Sequence, residues 1–408
     1  MKKILLNNNI NLICKTTKNT PRVALTCYVN INETEKIPGL YSVLNKLFVQ
    51  GTKKRSAEQI AYEMEINALD IYSEMKSDYW KFCLVCLKED FEIAAELLSD
   101  IMLNSTFENL DKEIIKLKGE TIASLDSPTV LARDKFVENI YKNHQYGHTG
   151  SVIIETVDKI NFNDVIEAYE SIFKPANKVF SVVGDIESTE VKNILEKYFS
   201  SLTTETQESK INSAKLEQKN VIKIIKEDAN QAQIYQGWLV PGTKSEDSPA
   251  LSVLNTILGS SGLSSRLFLE LRDKKGLAYT VRSVYSKARH NSDFRVYIAT
   301  EPKNISVALE GFKTEIEKLK NEYVSEKELI DAKNNIIGKI QFITETNLQQ
   351  AGSIGSYEIE GLGCDYLEKW IERIQKVTEE DIMRVTKKYF NENYILTILA
   401  PEKYLGDV

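Results

Sequence analysis

The chain has 408 residues, of which 42% are hydrophobic and 27% charged, a balance typical of globular proteins in water. Its 52 basic and 59 acidic residues give a net charge of -7 and are interspersed, which argues against nucleic acid as a partner. No stretch is long and apolar enough for a membrane span or a signal peptide, so we expect a cytoplasmic protein without a membrane partner.

The first half of the chain shows strand and helix patterns in a clear order. Apolar residues recur at helical spacing from 40 to 48, and Ser56 is positioned to cap a second helix that runs through about residue 67. Several helices are predicted between 90 and 173, and one from 187 to 199. Strands are predicted at residues 3–6, 10–15, 22–31, 68–75, 79–88 and 179–184.

The second half repeats this order. A long strand, a helix, a strand pair, a helical block and a closing strand follow one another in both halves, and the tetrapeptide Ser-Val-Leu-Asn occurs at 42–45 and 252–255. Polar residues 206–219 predict a linker between a domain at 1–205 and a domain at 220–408. We therefore predict an α+β fold of two tandem homologous domains, each a mostly antiparallel sheet packed with helices.

Within the second half, residues 259–285 combine a Gly/Ser loop, a helix and a strand. The helix is expected to end at Gly276, which can adopt the left-handed conformation that closes many helices. Arg272 then lies in the last helical turn and Tyr279 early in the strand. A tight turn between them would direct both head groups into one space.

The five cysteines do not predict a disulfide framework, because their number is odd and their spacing irregular. Cys83 and Cys86 have a C-x-x-C spacing, but they fall in a predicted strand. Side chains three residues apart on a strand point to opposite faces. We interpret both as small core residues and not as metal ligands.

Only three histidines are present, which limits metal chemistry. His144 and His148 are four residues apart, in a Gly-containing segment that predicts a loop and not a helix face. We interpret them as surface loop residues, and His290 stands alone in the second half.

Together these segments resemble the pitrilysin/insulinase group of zinc peptidases, especially subunits like mitochondrial processing peptidase. Residues 38–52 are similar to the family's first helix, G-x-x-H-x-x-E-H-x-x-F-x-G-T, and residues 264–279 to its second-domain signature. Residues 143–147 and 183–186 also fit. The resemblance covers nearly the whole chain and implies that the two domains form half of a clam-shell.

The chain departs from the family at its zinc motif, H-x-x-E-H. Ser42 and Lys46 stand where the two histidine ligands belong, and Asn45 stands where the carboxylate base belongs. A protonated lysine has no lone pair for zinc, and an amide cannot accept the proton of an attacking water. Glu120, near the expected third ligand, is interpreted as a solvated helix residue. We expect no metal or other cofactor in this chain.

The resemblance implies a different role for the second domain. The family's Arg and Tyr, seven residues apart, correspond to Arg272 and Tyr279. Arg272 would hydrogen-bond peptide carbonyls and so bind substrate. Tyr279 would donate to the oxyanion of the tetrahedral intermediate, a contact worth on the order of 10²–10³ in rate.

These observations favour a non-zinc subunit of a heterodimeric metallopeptidase that cleaves unfolded peptides. The chain would be inactive alone, and a homologous partner would carry the zinc and H-x-x-E-H. One alternative is a catalytically inactive structural subunit of a larger assembly. Another is a homodimeric enzyme with a metal site built from His144, His148 or His290.

Overall fold

The computed structural model describes residues 1–18, 20–173, 176–204 and 209–406. The chain forms two compact units, each assembled from three segments. Unit 1 consists of Met1–Glu120, Ile153–Ile211 and Gln341–Leu367. Unit 2 consists of Thr121–Val152, Asn212–Ile340 and Glu368–Val408.

The first half of the chain contributes strands and helices in an order close to the predicted one. Its strands are β1 (Lys2–Leu5), β2 (Asn11–Thr16), β3 (Arg22–Asn30), β4 (Asp70–Met75), β5 (Tyr79–Leu87) and β6 (Lys178–Gly184). Its helices are α1 (Leu40–Leu47), α2 (Ala57–Ile66), α3 (Phe91–Asn104), α4 (Leu110–Leu125), α5 (Pro128–Ile140), α6 (Gly150–Thr156), α7 (Phe162–Phe173) and α8 (Ser188–Tyr198). Ser56 caps α2 as predicted, in a capping box with Gln59.

The second half contributes five strands and six helices to the described chain. The strands are β7 (Asn220–Ile225), β8 (Ala232–Pro241), β9 (Thr280–Ser286), β10 (Asn291–Thr300) and β11 (Ile395–Ala400). The helices are α9 (Ser248–Asn255), α10 (Ile305–Asn321), α11 (Glu326–Ile343), α12 (Asn347–Ile359), α13 (Tyr366–Gln375) and α14 (Glu379–Tyr389). No helix of the described ranges combines the length and apolar character needed to cross a membrane.

The two sheets share a five-strand topology, to which unit 1 adds the edge strand β1. Unit 1 has the strand order β1-β2-β6-β3-β5-β4, and unit 2 has β7-β11-β8-β10-β9. One pair in each sheet is parallel, β2 with β6 and β7 with β11, and the other neighbours are antiparallel. The prediction of an α+β fold with two homologous, mostly antiparallel domains is therefore confirmed.

Each unit includes one helix from the other half of the sequence. In unit 1, α12 packs on β3 and β6, and Tyr28 donates a hydrogen bond to the Gly352 carbonyl at 2.9 Å. In unit 2, α5 packs on β8 and β11, where the Phe136 and Tyr235 ring centroids are 6.0 Å apart. The units follow the two halves of the sequence except for these exchanged segments.

Two local features differ from the predicted elements. Strand β7 directly follows the polar segment and was not predicted. Within the predicted linker, residues 206–208 lie outside the described residues, and Ile211 ends the second segment of unit 1.

Candidate functional site

Helix α1 of unit 1 carries the three residues at the zinc-motif positions. Its apolar residues Leu40, Val43, Leu44 and Leu47 are buried. Residues Ser42, Asn45 and Lys46 lie on the remaining part of the helix and are half-buried. The helical periodicity thus turns the three motif positions away from the core.

Lys46 forms an ion pair with Glu120 in unit 1. Its Nζ atom lies 2.7 Å from Glu120 Oε2, and the two side chains are 24% and 52% exposed. This hydrogen bond holds the pKa of Glu120 below its ordinary value. Glu120 is therefore more than a solvated helix residue, because its carboxylate accepts a hydrogen bond from Lys46, which stands at the position of the second histidine.

Asn45 is held by hydrogen bonds to the sheet of unit 1. Its Oδ1 atom accepts from Ser73 Oγ at 2.8 Å and from Trp80 Nε1 at 2.9 Å. Trp80 is fully buried. The amide oxygen is thus engaged by two donors, and it has no basicity with which to activate water. Ser42, Asn45 and Lys46 do not provide the donor set of a zinc site.

The repeated tetrapeptide Ser-Val-Leu-Asn makes the same serine-to-asparagine hydrogen bond in unit 2. Asn255, the counterpart of Asn45, accepts a hydrogen bond from Ser283 Oγ at 2.7 Å. Ser73 lies on β4 and Ser283 on β9, and these are the equivalent edge strands of the two sheets. The shared Ser-Val-Leu-Asn therefore reflects a common contact between the first helix and the edge strand.

Arg272 lies in a π-helical segment, Phe268–Lys274, and not in an ordinary α-helix. Such segments often occur at functional sites. The segment ends as predicted, since Gly276 has φ 61° and its N–H donates to the Arg272 carbonyl at 3.0 Å. The chain then passes to Tyr279, which directly precedes β9.

Arg272 and Tyr279 are in direct contact. Arg272 Nη1 donates to the Tyr279 carbonyl at 2.5 Å. The guanidinium carbon lies 4.6 Å from the centre of the Tyr279 ring and 4.7 Å from that of Phe268. Both distances fit cation–π contacts. Tyr279 is 78% exposed, so its ring and hydroxyl are accessible from solvent.

Phe268 also contacts Arg272, although no role was predicted for it from the sequence. It precedes Arg272 by four residues, a spacing that brings side chains together on a helix. That spacing was visible in the sequence. It did not distinguish a ring that supports Arg272 from an ordinary core residue.

Two histidines of unit 2, His144 and His290, lie near each other. His144 is only 9% exposed, so the prediction that it lies at the surface was wrong. Its Nδ1 accepts from the Tyr146 backbone N–H at 3.1 Å, and its ring centroid lies 6.5 Å from that of His290. Within the described ranges, no group of three or more His, Cys, Asp or Glu side chains could hold a metal ion.

Two family models match the chain in succession. Residues 12–150 match the model described as Insulinase (Peptidase family M16), and residues 159–336 match the model described as Peptidase M16 inactive domain. The chain is 24% identical over 406 residues to the uncharacterized zinc protease YmxG of Bacillus subtilis, and 26% identical over 421 residues to an uncharacterized zinc protease of Rickettsia felis. Each match covers 98% of both proteins.

Solved structures share the fold over nearly the whole chain. A protease from Helicobacter pylori superposes with a TM-score of 0.89 at 21% identity, covering 98% of this chain and 99% of that one. A Pseudomonas fluorescens protein, described as a peptidase M16 inactive domain, has a TM-score of 0.87 at 21% identity and covers 98% of both chains. The chain belongs to the insulinase family of peptidases, family M16.

Proposed function

We propose that this chain is the non-zinc subunit of a heterodimeric zinc metallopeptidase that cleaves unfolded peptides. The zinc and its H-x-x-E-H motif belong to a homologous partner subunit. The observation that carries the proposal is the contrast between two sites. Lys46 and Glu120 form an ion pair where the family binds zinc, whereas Arg272 and Tyr279 remain in contact at an exposed position.

The geometry supports distinct roles for the two residues. Arg272 uses one donor on the Tyr279 carbonyl, and a guanidinium has five N–H donors. The remaining donors can bind the carbonyl groups of a peptide. The exposed Tyr279 hydroxyl can donate to an oxygen that gains negative charge during attack on the scissile bond.

The test is a kinetic comparison in the complex of this chain with a zinc-bearing homologous chain. Tyr279→Phe removes only the hydroxyl and is expected to lower turnover by about 10²–10³. Tyr323→Phe is the matched control, because Tyr323 is also exposed and lies in unit 2. Size-exclusion chromatography checks that both variants still assemble with the partner.

Undiminished turnover in Tyr279→Phe would remove Tyr279 from the mechanism. If changes at Arg272 also left turnover intact, the chain would be a catalytically inactive structural subunit, which is the competing proposal.

A further inference from the structure

The sheet faces opposite the exchanged helices are covered differently in the two units. In unit 1 both α3 and α8 cover this face, and α8 buries Val191, Ile194 and Leu195 in the core. Lys197 and Tyr198 of α8 also bond to Glu92 of α3. Helix α8 therefore packs on α3 and β2 through an aliphatic stripe with a polar rim.

Unit 2 has a counterpart of α3 but none of α8 in its described residues. The shared topology equates β7 with β2, and α10 with α3, since α3 packs on β5 and α10 on its equivalent, β10. After β11 the described chain forms only a short 3₁₀ turn, Glu402–Tyr404. Among the helices of the described residues, none follows β11 in the way that α8 follows β6 in unit 1.

A groove lies at this place in unit 2, between α10, strands β7, β8 and β11, and the segment 390–394. It encloses about 530 Å³, within the size range of ligand-binding pockets. We call it the α10 groove. Val221 and Leu309 line it as half-buried apolar side chains, and Trp238, Ile316 and Leu396 form a buried apolar floor beneath them.

The strand on the side of the groove is more exposed than its counterpart. Leu12 of β2 pairs with Phe180 of β6, as Val221 of β7 pairs with Leu396 of β11. Leu12 is completely buried, whereas Val221 is half-buried.

Helix α10, on the other side of the groove, is also more exposed than its counterpart α3 in unit 1. Aligning the first residues of α3 and α10 pairs Ala95 with Leu309 and Ser99 with Lys313. Ala95 and Ser99 are buried, whereas Leu309 is half-buried and Lys313 exposed.

The rim of the groove carries charges of both signs, in keeping with the mixed charges of α8 itself. Along α10 they are Glu310, Lys313, Glu317 and Lys320.

We propose that the α10 groove binds an amphipathic helix of another protein chain. Its aliphatic side chains would have the i, i+3, i+4 spacing of Val191, Ile194 and Leu195, and its flanks would carry charges of both signs. Helix-in-groove recognition works through such a stripe. This surface is independent of Arg272 and Tyr279, so the proposal does not rest on the peptidase function.

The test uses α8 itself as the probe. A fluorescein-labelled peptide of residues 187–199 is titrated with the full chain, and fluorescence anisotropy is measured. Short helices are marginally stable in water, so a lactam joins Lys192 to Glu196. These two side chains already form an ion pair at 3.7 Å and lie beside the aliphatic stripe. We expect saturable binding, with hydrogen-exchange protection confined to α10 and β7.

Two variants with the same added charge locate the binding. Leu309→Glu is expected to weaken binding at least about fivefold, or about 1 kcal/mol. Val307→Glu is expected to leave it unchanged, because Val307 is 45% exposed on α10 but does not line the groove. Circular dichroism checks that both variants are folded. Absence of saturable binding, or equal losses in the two variants, would overturn the proposal.

Discussion

Lys46 places one positive charge between helices α1 and α4, at the position where the resemblance to the family's zinc motif implies a dication. Its ammonium group bonds directly to Glu120, but both side chains are partly exposed. Pairs of this kind contribute about 0–1 kcal/mol to stability. The ion pair is therefore not essential for the fold.

This geometry predicts that a zinc site can be restored. Ser42→His, Asn45→Glu and Lys46→His together would supply two nitrogen ligands and a carboxylate base, and would release Glu120 from its ion pair. We expect the triple variant to retain about one zinc per chain after dialysis, measured by metal analysis.

As a control, Glu120→Gln is added to the triple variant. It replaces the carboxylate of the expected third ligand with an amide, so we expect the quadruple variant to retain no zinc after dialysis. The account of the site would be contradicted if the triple variant held no more zinc than the natural chain.

One of the two side-chain contacts at the candidate sites could be predicted from the sequence, and the other could not. The approach of Arg272 and Tyr279 was predictable, because a helix, a left-handed Gly276 and a strand are local features. The contact between Lys46 and Glu120 was not, because it joins residues 74 positions apart. Such a contact depends on how α4 packs, which periodicity does not determine.

At the scale of elements, the exchanged helix α12 depends on close approach to the sheet of unit 1. Gly355 faces Tyr28, and a Cβ atom at Gly355 would lie 2.7 Å from the Tyr28 ring. The two nearest ring atoms, Cδ2 and Cε2, belong to the buried Tyr28 side chain, which has little room to move. A glycine is therefore required where α12 crosses β3.

Gly355→Ala is expected to lower the free energy of unfolding by about 1–3 kcal/mol, because the added methyl group overpacks this contact. Gly338→Ala is the matched control on α11. No heavy atom lies within 4 Å of its added Cβ, so we expect a gain of about 0.5–1 kcal/mol. Urea denaturation measures both, and a neutral or stabilising Gly355→Ala would contradict the close packing of α12.

Strand β7 shows why one element escaped prediction. Its sequence Asn-Val-Ile-Lys-Ile-Ile is short and only partly alternating, and it follows a polar segment directly. Its identity depends on parallel pairing with β11, 175 residues later. Long-range pairing of this kind leaves little trace in local pattern.

At the scale of the whole molecule, the repeat was the most predictive feature. The order of elements and the tetrapeptide at 42–45 and 252–255 indicated two homologous domains, and the two sheets share their topology. The exchange of α5 and α12 was not predicted, because an amphipathic pattern shows that a helix packs but does not show on which sheet.

We propose that this chain supplies half of a peptidase active site. The most direct test measures cleavage of an unfolded peptide by the pure chain, by a zinc-bearing homologous chain, and by their mixture. We predict no cleavage by the pure chain and strong cleavage only by the mixture, abolished by a zinc chelator. Cleavage by the pure chain, or a mixture no more active than the zinc-bearing chain alone, would contradict this proposal.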